Sequence, residues 1–263
     1  MKTIRALWGY RGFITGSVNR EFQANYKNSI LGATWSVIRP LTLIVVYTVV
    51  FSQVMQAKLP TLGKEYAYSV YLCAGLLTWN YFVEAVNRGQ NIFLENANLL
   101  KKVNFPVLTL SVIAMANAMV SFGIIFGLFL IFLVATASFP GLVFVAIFPV
   151  LLIQTLLAFG LGLTLGILNV FFRDVGQLFG VVLQFWFWLT PIVYPASILP
   201  VWAQQLITYN PMTSIATAYQ TILVNAQMPD WRSLWPVTLL AITLCVLGLR
   251  IYHKHASEMV DEL

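Results

Sequence analysis

Long stretches without a charged residue alternate along the chain with short charged segments. No Asp, Glu, Lys or Arg occurs in five windows, which are residues 40–57, 66–83, 103–172, 175–229 and 233–249. A helix needs ~20 residues to cross the ~30 Å hydrocarbon core of a membrane. The pattern therefore predicts a helical membrane protein and not a soluble domain.

The longest window is too long for one span and must turn back on itself. As one helix, residues 103–172 would be roughly 105 Å long, more than three membrane thicknesses. The only polar, helix-breaking stretch in this window is Ala-Thr-Ala-Ser-Phe-Pro-Gly at 135–141. We therefore expect two spans, at 105–134 and 142–170, joined by a short hairpin.

The second-longest window contains a cluster of prolines. Six of the eleven prolines lie between residues 191 and 236, five of them in this window: Pro191, Pro195, Pro200, Pro211, Pro229 and Pro236. Because proline interrupts a helix interior, we expect a span at 175–190 followed by half-helices at 200–209 and 211–225. Asn210 is a suitable N-cap, with Pro211 at the first helical position. A helix of ~15 residues reaches only ~22 Å, which favours a re-entrant or interfacial arrangement.

Three further spans, at 40–57, 66–83 and 234–249, bring the predicted number to six. With the N-terminus inside, twelve of the fifteen basic residues lie on the cytoplasmic side, and only Lys58, Lys64 and Arg232 lie outside. Such a bias agrees with the positive-inside rule. A seventh crossing within 194–235 would weaken the bias, so we expect both termini to be cytoplasmic.

The composition supports a membrane protein. Of 263 residues, 59% are hydrophobic and 9% are charged, and the mean hydropathy is +0.81. A soluble domain carries about a quarter charged residues. Cys73 and Cys245 both lie in uncharged windows, so we expect no disulfide framework. His253 and His255 are too few ligands for a structural zinc site, and we expect no metal.

Several functional classes are disfavoured by what the sequence lacks. An ion-coupled carrier keeps an ionisable group within the membrane, and the five windows contain none. The only Gly-Lys pair, Gly63-Lys64, is followed by Glu65, so the chain has no Walker A motif for ATP. No buried acid, base, nucleophile or metal cluster suggests an intramembrane enzyme. Any use of ATP must therefore depend on another polypeptide, and we expect neither catalytic residues nor a cofactor on this chain.

The first 39 residues contain an apolar stripe. Ile14, Val18, Phe22 and Tyr26 recur at intervals of four, which is typical of an amphipathic helix lying along the cytoplasmic interface. A simple topological anchor is one interpretation. The length of the segment favours contact with a partner instead.

The predicted inner loop at 84–104 is long and of mixed charge. It is a candidate docking surface for a cytoplasmic subunit, and the alternative is a solvated loop that binds lipid phosphates. The residues that we expect to couple such a subunit to the spans are Asn98, Leu99, Leu100, Lys101, Lys102 and Asn104.

Aromatic residues concentrate at the ends of two predicted spans. Trp and Tyr at span ends usually form an interfacial belt. Four consecutive aromatics, at 185–188, point around most of a helix, so some of them face protein or a pore. Flat aromatic faces suit sugar rings that must be held without being trapped. The candidates for lining a substrate path are Trp79, Tyr81, Phe82, Phe185, Trp186, Trp188 and Tyr194.

Two Gly-x-x-x-Gly spacings lie within predicted spans, at 123–127 and 162–166. Small residues at this spacing let two membrane helices approach closely. We expect them to serve helix packing.

Five segments resemble conserved features of type-2 ATP-binding-cassette exporter permeases. The run REFQANYKNSILGATWSVIRP at 20–40 is similar to the entry to their first span, and LKKVNFP at 100–106 to the exit of their coupling loop. Later segments of this chain are similar in order: NVFFRDV at 169–175, LTPIVYP at 189–195 and YNPM at 209–212. The resemblance covers nearly the whole chain and is greatest to the polysaccharide-export branch. One departure is Arg39, where many relatives carry Asn.

The resemblance implies a permease for lipid-linked polysaccharide such as O-antigen, capsule or teichoic acid. It implies a homodimer in the bacterial inner membrane with two copies of a separate nucleotide-binding subunit, which would bind the ATP and Mg²⁺. The interface helix and coupling loop would contact that subunit, and half-helices within 195–226 would form an outer gate. Membrane lipids are expected partners and nucleic acid is not. An exporter of lipids or drugs, and a membrane scaffold without transport, are the alternatives.

Overall fold

The computed structural model of the protein describes residues 9–26, 34–35, 38, 41–42, 45–46, 67–102 and 106–263. Among these residues there are helices and turns but no strand, as expected for an all-helical membrane protein. The predicted first span, 40–57, lies almost wholly outside the described residues, and so does Asn104.

The described chain begins with helix α1, Arg11–Tyr26. Helix α2, Ala67–Glu95, has 29 residues and is followed by the short helix α3, Ala97–Lys102. The charge pattern predicts that a span ends at residue 83 and that a loop begins at 84, but α2 continues without interruption to Glu95. The charged residues there do not end the helix, because Arg88 pairs with Glu84 one turn away, with 2.9 Å between Nε and Oε1.

The predicted helical hairpin is confirmed. Helix α4 is Leu108–Ala135, and a 3-10 helix at Gly141–Ala146 leads into α5, Ile147–Phe171. The turn between them has positive φ at Ala137 and Gly141, 52° and 67°. Glycine reaches this conformation without steric cost, which explains its place at the end of the turn.

Helix α6 is Asp174–Trp188, close to the span predicted at 175–190. Its 15 residues are only about 22 Å long, short of the ~30 Å hydrocarbon core. The helix is followed directly by Thr190-Pro191, and residues 189–200 contain no α-helix. Helix α7, Val201–Thr208, and helix α8, Pro211–Asn225, match the two predicted half-helices to within one residue at each end.

The last helix, α9, is Trp231–Glu262 and has 32 residues. It begins with Asp230 as N-cap, whose Oδ1 accepts a hydrogen bond of 3.0 Å from the Arg232 amide. It extends well beyond the predicted end at 249. Within the described residues, three helical stretches are long and apolar enough to cross a membrane: Leu108–Ala135, Gly141–Phe171 and Trp231–Ala256.

Helix α5 packs against α2 on one side and α9 on the other through glycines. A Cβ atom at Gly166 would lie 2.5 Å from the Gly89 carbonyl oxygen of α2. A Cβ at Gly160 would lie 2.6 Å from the Cys245 backbone nitrogen of α9. Only glycine permits such close approach of backbones. The 162–166 glycine pair therefore packs helices, as predicted, whereas a Cβ at Gly123 or Gly127 would meet no other part of the described chain within 4 Å.

These contacts predict different effects for alanine at buried and open glycines. Gly160→Ala and Gly166→Ala should each lower the free energy of unfolding by about 1–3 kcal/mol, because the added methyl group overlaps a neighbouring backbone. Gly127→Ala is the matched control and should be neutral or slightly stabilising, since alanine is the better helix former. Thermal unfolding in a single detergent measures the effect. A Gly160→Ala variant as stable as Gly127→Ala would contradict the packing.

Candidate transport site and coupling surface

Two ends of the helix bundle carry the residues that the sequence analysis singled out. The proline-rich end consists of residues 189–211, the start of α2 and helix α8. The opposite end consists of α1, α3 and the ends of α2, α4, α5 and α9 that pack with them. Helix α2 joins the two ends, and Tyr71 and Glu95 lie about 36 Å apart along it at ~1.5 Å per residue.

At the proline-rich end, two tyrosines of α2 hold the backbone after α6. The Tyr68 hydroxyl donates to the Val193 carbonyl oxygen at 2.8 Å. The Tyr71 hydroxyl lies 3.1 Å from the carbonyl oxygen of Pro191 and 3.2 Å from that of Tyr194. These bonds satisfy carbonyl groups that no helix or sheet pairs in this segment, a requirement for irregular backbone at membrane depth.

Asn210 connects three elements of this end through one side chain. Its Oδ1 accepts the Met212 amide at 3.0 Å, which confirms the predicted N-cap of α8. The same oxygen accepts the indole N–H of Trp186 at 2.7 Å. Its Nδ2 donates to Thr190 Oγ1 at 3.0 Å and to the Leu189 carbonyl at 3.2 Å. Asn210 thereby fixes the end of α6 relative to the start of α8.

Four of the seven aromatics proposed to line a substrate path pack inside the chain. Phe82 has no exposed surface, and Trp79 and Tyr81 are at most 5% exposed. The Trp79 and Phe82 rings lie 6.3 Å and 5.4 Å from Trp186, centroid to centroid. Tyr81 is hydrogen-bonded to Thr155 at 2.8 Å. In this conformation Trp79, Tyr81 and Phe82 have no surface for a sugar, and Trp186 is held by its bond to Asn210.

The other aromatics remain accessible. Phe185 and Trp188 are 69% and 63% exposed, and they lie on the apolar face of α6 that also exposes Leu178, Val181 and Val182. The Tyr194 hydroxyl donates to the Trp188 carbonyl at 2.6 Å.

The opposite end has its own hydrophobic cluster. Leu100 of α3 is buried there with Phe93 of α2, Ile113 of α4 and Met259 of α9. Phe13, Ile14 and Val18 of α1 pack against the same cluster, so the described part of the predicted stripe faces the bundle. The side chains of Phe22 and Tyr26 lie outside the described residues. Helix α1 is therefore docked on the ends of the membrane helices next to α3.

The six predicted coupling residues divide into buried and exposed groups. Leu100 anchors α3 in the cluster, and Leu99 is half-buried beside it. Asn98 and Lys101 are exposed. The side chain of Lys102 and all of Asn104 lie outside the described residues. The structure thus places one face of α3 in the bundle and leaves Asn98 and Lys101 open to a partner.

A polar cluster that the sequence analysis missed links α1 to two long helices. Glu21 of α1 forms an ion pair with Arg88 of α2 and accepts a hydrogen bond from Asn117 of α4. Arg88 also pairs with Glu84. Arg88 offsets the charge of one acid, and its contacts with both carboxylates lower the cost of holding these half-buried groups partly out of water. The sequence signal was the Glu84–Arg88 spacing of four residues, but the partner 67 residues earlier carries no local signal.

The described residues contain no group of three or more His, Cys, Asp or Glu side chains that would hold a metal ion. His255 instead contacts Glu258 at 2.5 Å within α9.

Long apolar helices joined to a broken, proline-rich end define a polytopic membrane protein. The chain belongs to the ABC-2 type transporter family, whose model matches residues 14–224. Membership of this family implies an ABC ATPase as partner and a multi-pass location in the inner membrane.

Curated relatives match over most or all of their length. The chain is 29% identical over 266 residues to the O-antigen export system permease protein RfbA of Myxococcus xanthus, covering 100% of both chains. It is 30% identical over 240 residues to a protein of the same description from Klebsiella pneumoniae, covering 90% of this chain and 89% of the relative. A second Klebsiella pneumoniae protein of that description is 28% identical over 241 residues.

The Asn210 network predicts a loss of stability. Asn210→Ala removes the cap, worth about 0.5–2 kcal/mol, and leaves the Trp186 indole N–H without its acceptor. Asn210→Asp keeps the capping oxygen but sets a carboxylate oxygen against the Leu189 carbonyl in place of the Nδ2 donor, so its stability should also lie below that of the wild type. Thr208→Ala is the control, because this exposed hydroxyl bonds only within α7. An Asn210→Ala melting temperature equal to that of Thr208→Ala would contradict the role of Asn210.

Proposed function

We propose that the chain is the membrane-spanning permease subunit of an ABC exporter that moves lipid-linked O-antigen across the inner membrane. The observation that carries the proposal is the end-to-end match to relatives named as O-antigen export permeases. The family match accounts for the transporter class, and the relatives' names supply the cargo. A polysaccharide cargo agrees with uncharged spans, because a long polar chain must pass without being trapped by a fixed charge.

In this proposal α3 and α1 form the coupling surface for the ATPase. Leu100 ties α3 to the ends of four other helices, so a displacement of α3 is transmitted to the bundle. Glu21 ties α1 to α2 and α4 in the same region. The exposed Asn98 and Lys101 are available for contact with the subunit. This arrangement supports the predicted coupling role of residues 98–102.

We propose six spans with both termini cytoplasmic, and α7 and α8 as an outer gate. The charge bias supports this orientation, since it places the α1–α3 end inside and the proline-rich end outside. Two copies of the chain would surround the path. The exposed apolar face of α6, which carries Phe185 and Trp188, is available to the path or the second copy. Of the seven aromatics, Phe185, Trp188 and the half-buried Tyr194 remain candidates for contact with the glycan.

Disrupting α3 tests the coupling. Leu100→Pro removes the hydrogen bond from the Leu100 amide to the Asn96 carbonyl, 3.0 Å in the structure, and the buried side chain. The variant should insert at normal abundance, yet fail to co-purify with the ATPase and fail to restore surface O-antigen to a deletion strain. Ala97→Pro is the matched control, because proline is tolerated at the first helical position.

Three outcomes of this complementation oppose different parts of the proposal. If the deletion strain keeps its surface O-antigen, the proposed cargo is wrong. If Leu100→Pro exports normally, the coupling role of α3 is wrong. If Ala97→Pro also fails to co-purify with the ATPase, the failure of Leu100→Pro is not explained by disruption of the α3 helix.

The path assignment predicts a selective export defect for Trp188→Ala. The side chain is exposed, so its removal should leave abundance, ATPase binding and ATPase activity close to those of the wild type while reducing surface glycan severalfold. Trp235→Ala, in α9, removes an equally exposed tryptophan and should leave export intact. Quantitative blotting of surface glycan measures the difference between the Trp188→Ala and Trp235→Ala variants. Equal export by both variants would mean that Trp188 faces only lipid.

A further inference from the structure

A small cavity at the proline-rich end combines a mainly apolar surface with polar groups from six of its ten lining residues. Its volume is about 230 Å³, and it lies between the start of α2, the backbone after α6 and one face of α8. Pockets for drug-sized ligands measure roughly 300–1,000 Å³, so this cavity suits a smaller group such as one sugar ring. Its polar side chains belong to Tyr71, Ser197, Thr217, Gln220, Thr221 and Asn225.

The chemistry of the lining favours a neutral ligand with many hydroxyl groups. None of the lining residues is an acid, a lysine, an arginine or a histidine. A charged ligand would lack a countercharge in the cavity, which makes its desolvation costly. Hydroxyl and amide groups both donate and accept hydrogen bonds, as do sugar hydroxyls. Pro191, Pro195 and Val224 add apolar surface for the C–H face of a ring.

The inner wall of the cavity is held rigidly. Gln220 is 5% exposed, and its Nε2 donates to the Pro191 carbonyl at 3.3 Å. The Tyr71 hydroxyl is shared between the Pro191 and Tyr194 carbonyls. Gly75 makes room for this wall, because a Cβ there would lie 3.0 Å from Gln220 Nε2. The mouth is open, since Ser197, Thr217 and Asn225 are exposed. Because Tyr71 and Gln220 already donate to the backbone, the polar groups that face a ligand are mainly those of Ser197, Thr217, Thr221 and Asn225.

We propose that this cavity binds a single neutral sugar residue of the exported glycan at the outer end of the path. The inference rests on the proposed function for the identity of the glycan and on the lining for the class of ligand. Binding of one ring in a shallow site is weak, so the cavity slows the passing chain without trapping it.

The binding test uses methyl α-glycosides of glucose, mannose and rhamnose with the purified full-length chain in detergent. Saturation-transfer difference NMR should detect binding of at least one of them, and glucose 6-phosphate should bind at least tenfold more weakly because of its charge. Thr217→Trp fills the mouth and should reduce the glycoside signal at least tenfold. Thr243→Trp, at an exposed threonine of α9 outside both the cavity and the proposed gate, should keep the signal.

Two results of the binding test would overturn the proposal. One is the absence of a signal for every glycoside with the wild type, and the other is an unchanged signal in Thr217→Trp. Should Thr217→Trp not fold, Asn225→Leu removes an exposed amide from the lining and carries the same expectation.

A cellular test distinguishes failure of this site from failure of the proposed function. In the deletion strain, Thr243→Trp should restore surface O-antigen like the wild type, and Thr217→Trp should restore at least fivefold less. Full restoration by Thr217→Trp would exclude the cavity while leaving the export function intact. An unchanged O-antigen level in the deletion strain itself would instead exclude the function.

Discussion

Helix α5 has no side chains at the points where its backbone meets those of α2 and α9. Gly160 contacts α9, and Gly162 and Gly166 contact Gly89 of α2. In lipid there is no hydrophobic force between apolar helices, so close van der Waals packing supplies much of their association. This contact fixes α2 in the bundle, and α2 carries Tyr71 at one end and Phe93 at the other. The positions of the proline-rich end and of the α1–α3 end both follow from it.

Polar groups near the membrane are paired differently at the two ends of the bundle. At the proline-rich end, neutral hydroxyl and amide groups of Tyr68, Tyr71, Asn210 and Gln220 pair with carbonyls of interrupted helices. At the opposite end, Glu21 and Arg88 form a charged pair near the helix ends. Uncharged groups agree with the proposed passage of a glycan through this end. Charged groups suit a junction that must hold a separate helix, α1, in a defined orientation.

Much of the helical framework is predictable because its signals are local. Charge-free windows and the breakers at 135–141 locate α4 and α5, and Asn210-Pro211 locates the start of α8. The end of α2 was mispredicted because charged residues mark the end of an apolar span but not the end of its helix, which the Glu84–Arg88 pair allows to continue to Glu95. The burial of Trp79 and Phe82 is likewise not predictable from the sequence, since a run of aromatics does not reveal which rings face other helices. The length of α6 depends on where Thr190-Pro191 stops it, two residues earlier than predicted.

Site-specific photocrosslinking at the two ends tests the account most directly. A benzophenone amino acid placed at the exposed Asn98 of α3 should crosslink to the ABC ATPase in membranes of the native organism, and one at the exposed Gln205 of α7 should not. The account predicts a nucleotide-dependent yield at 98, because α3 moves with the ATPase. Crosslinking of the ATPase from position 205, with none from position 98, would mean that the proline-rich end faces the ATPase and would contradict the account.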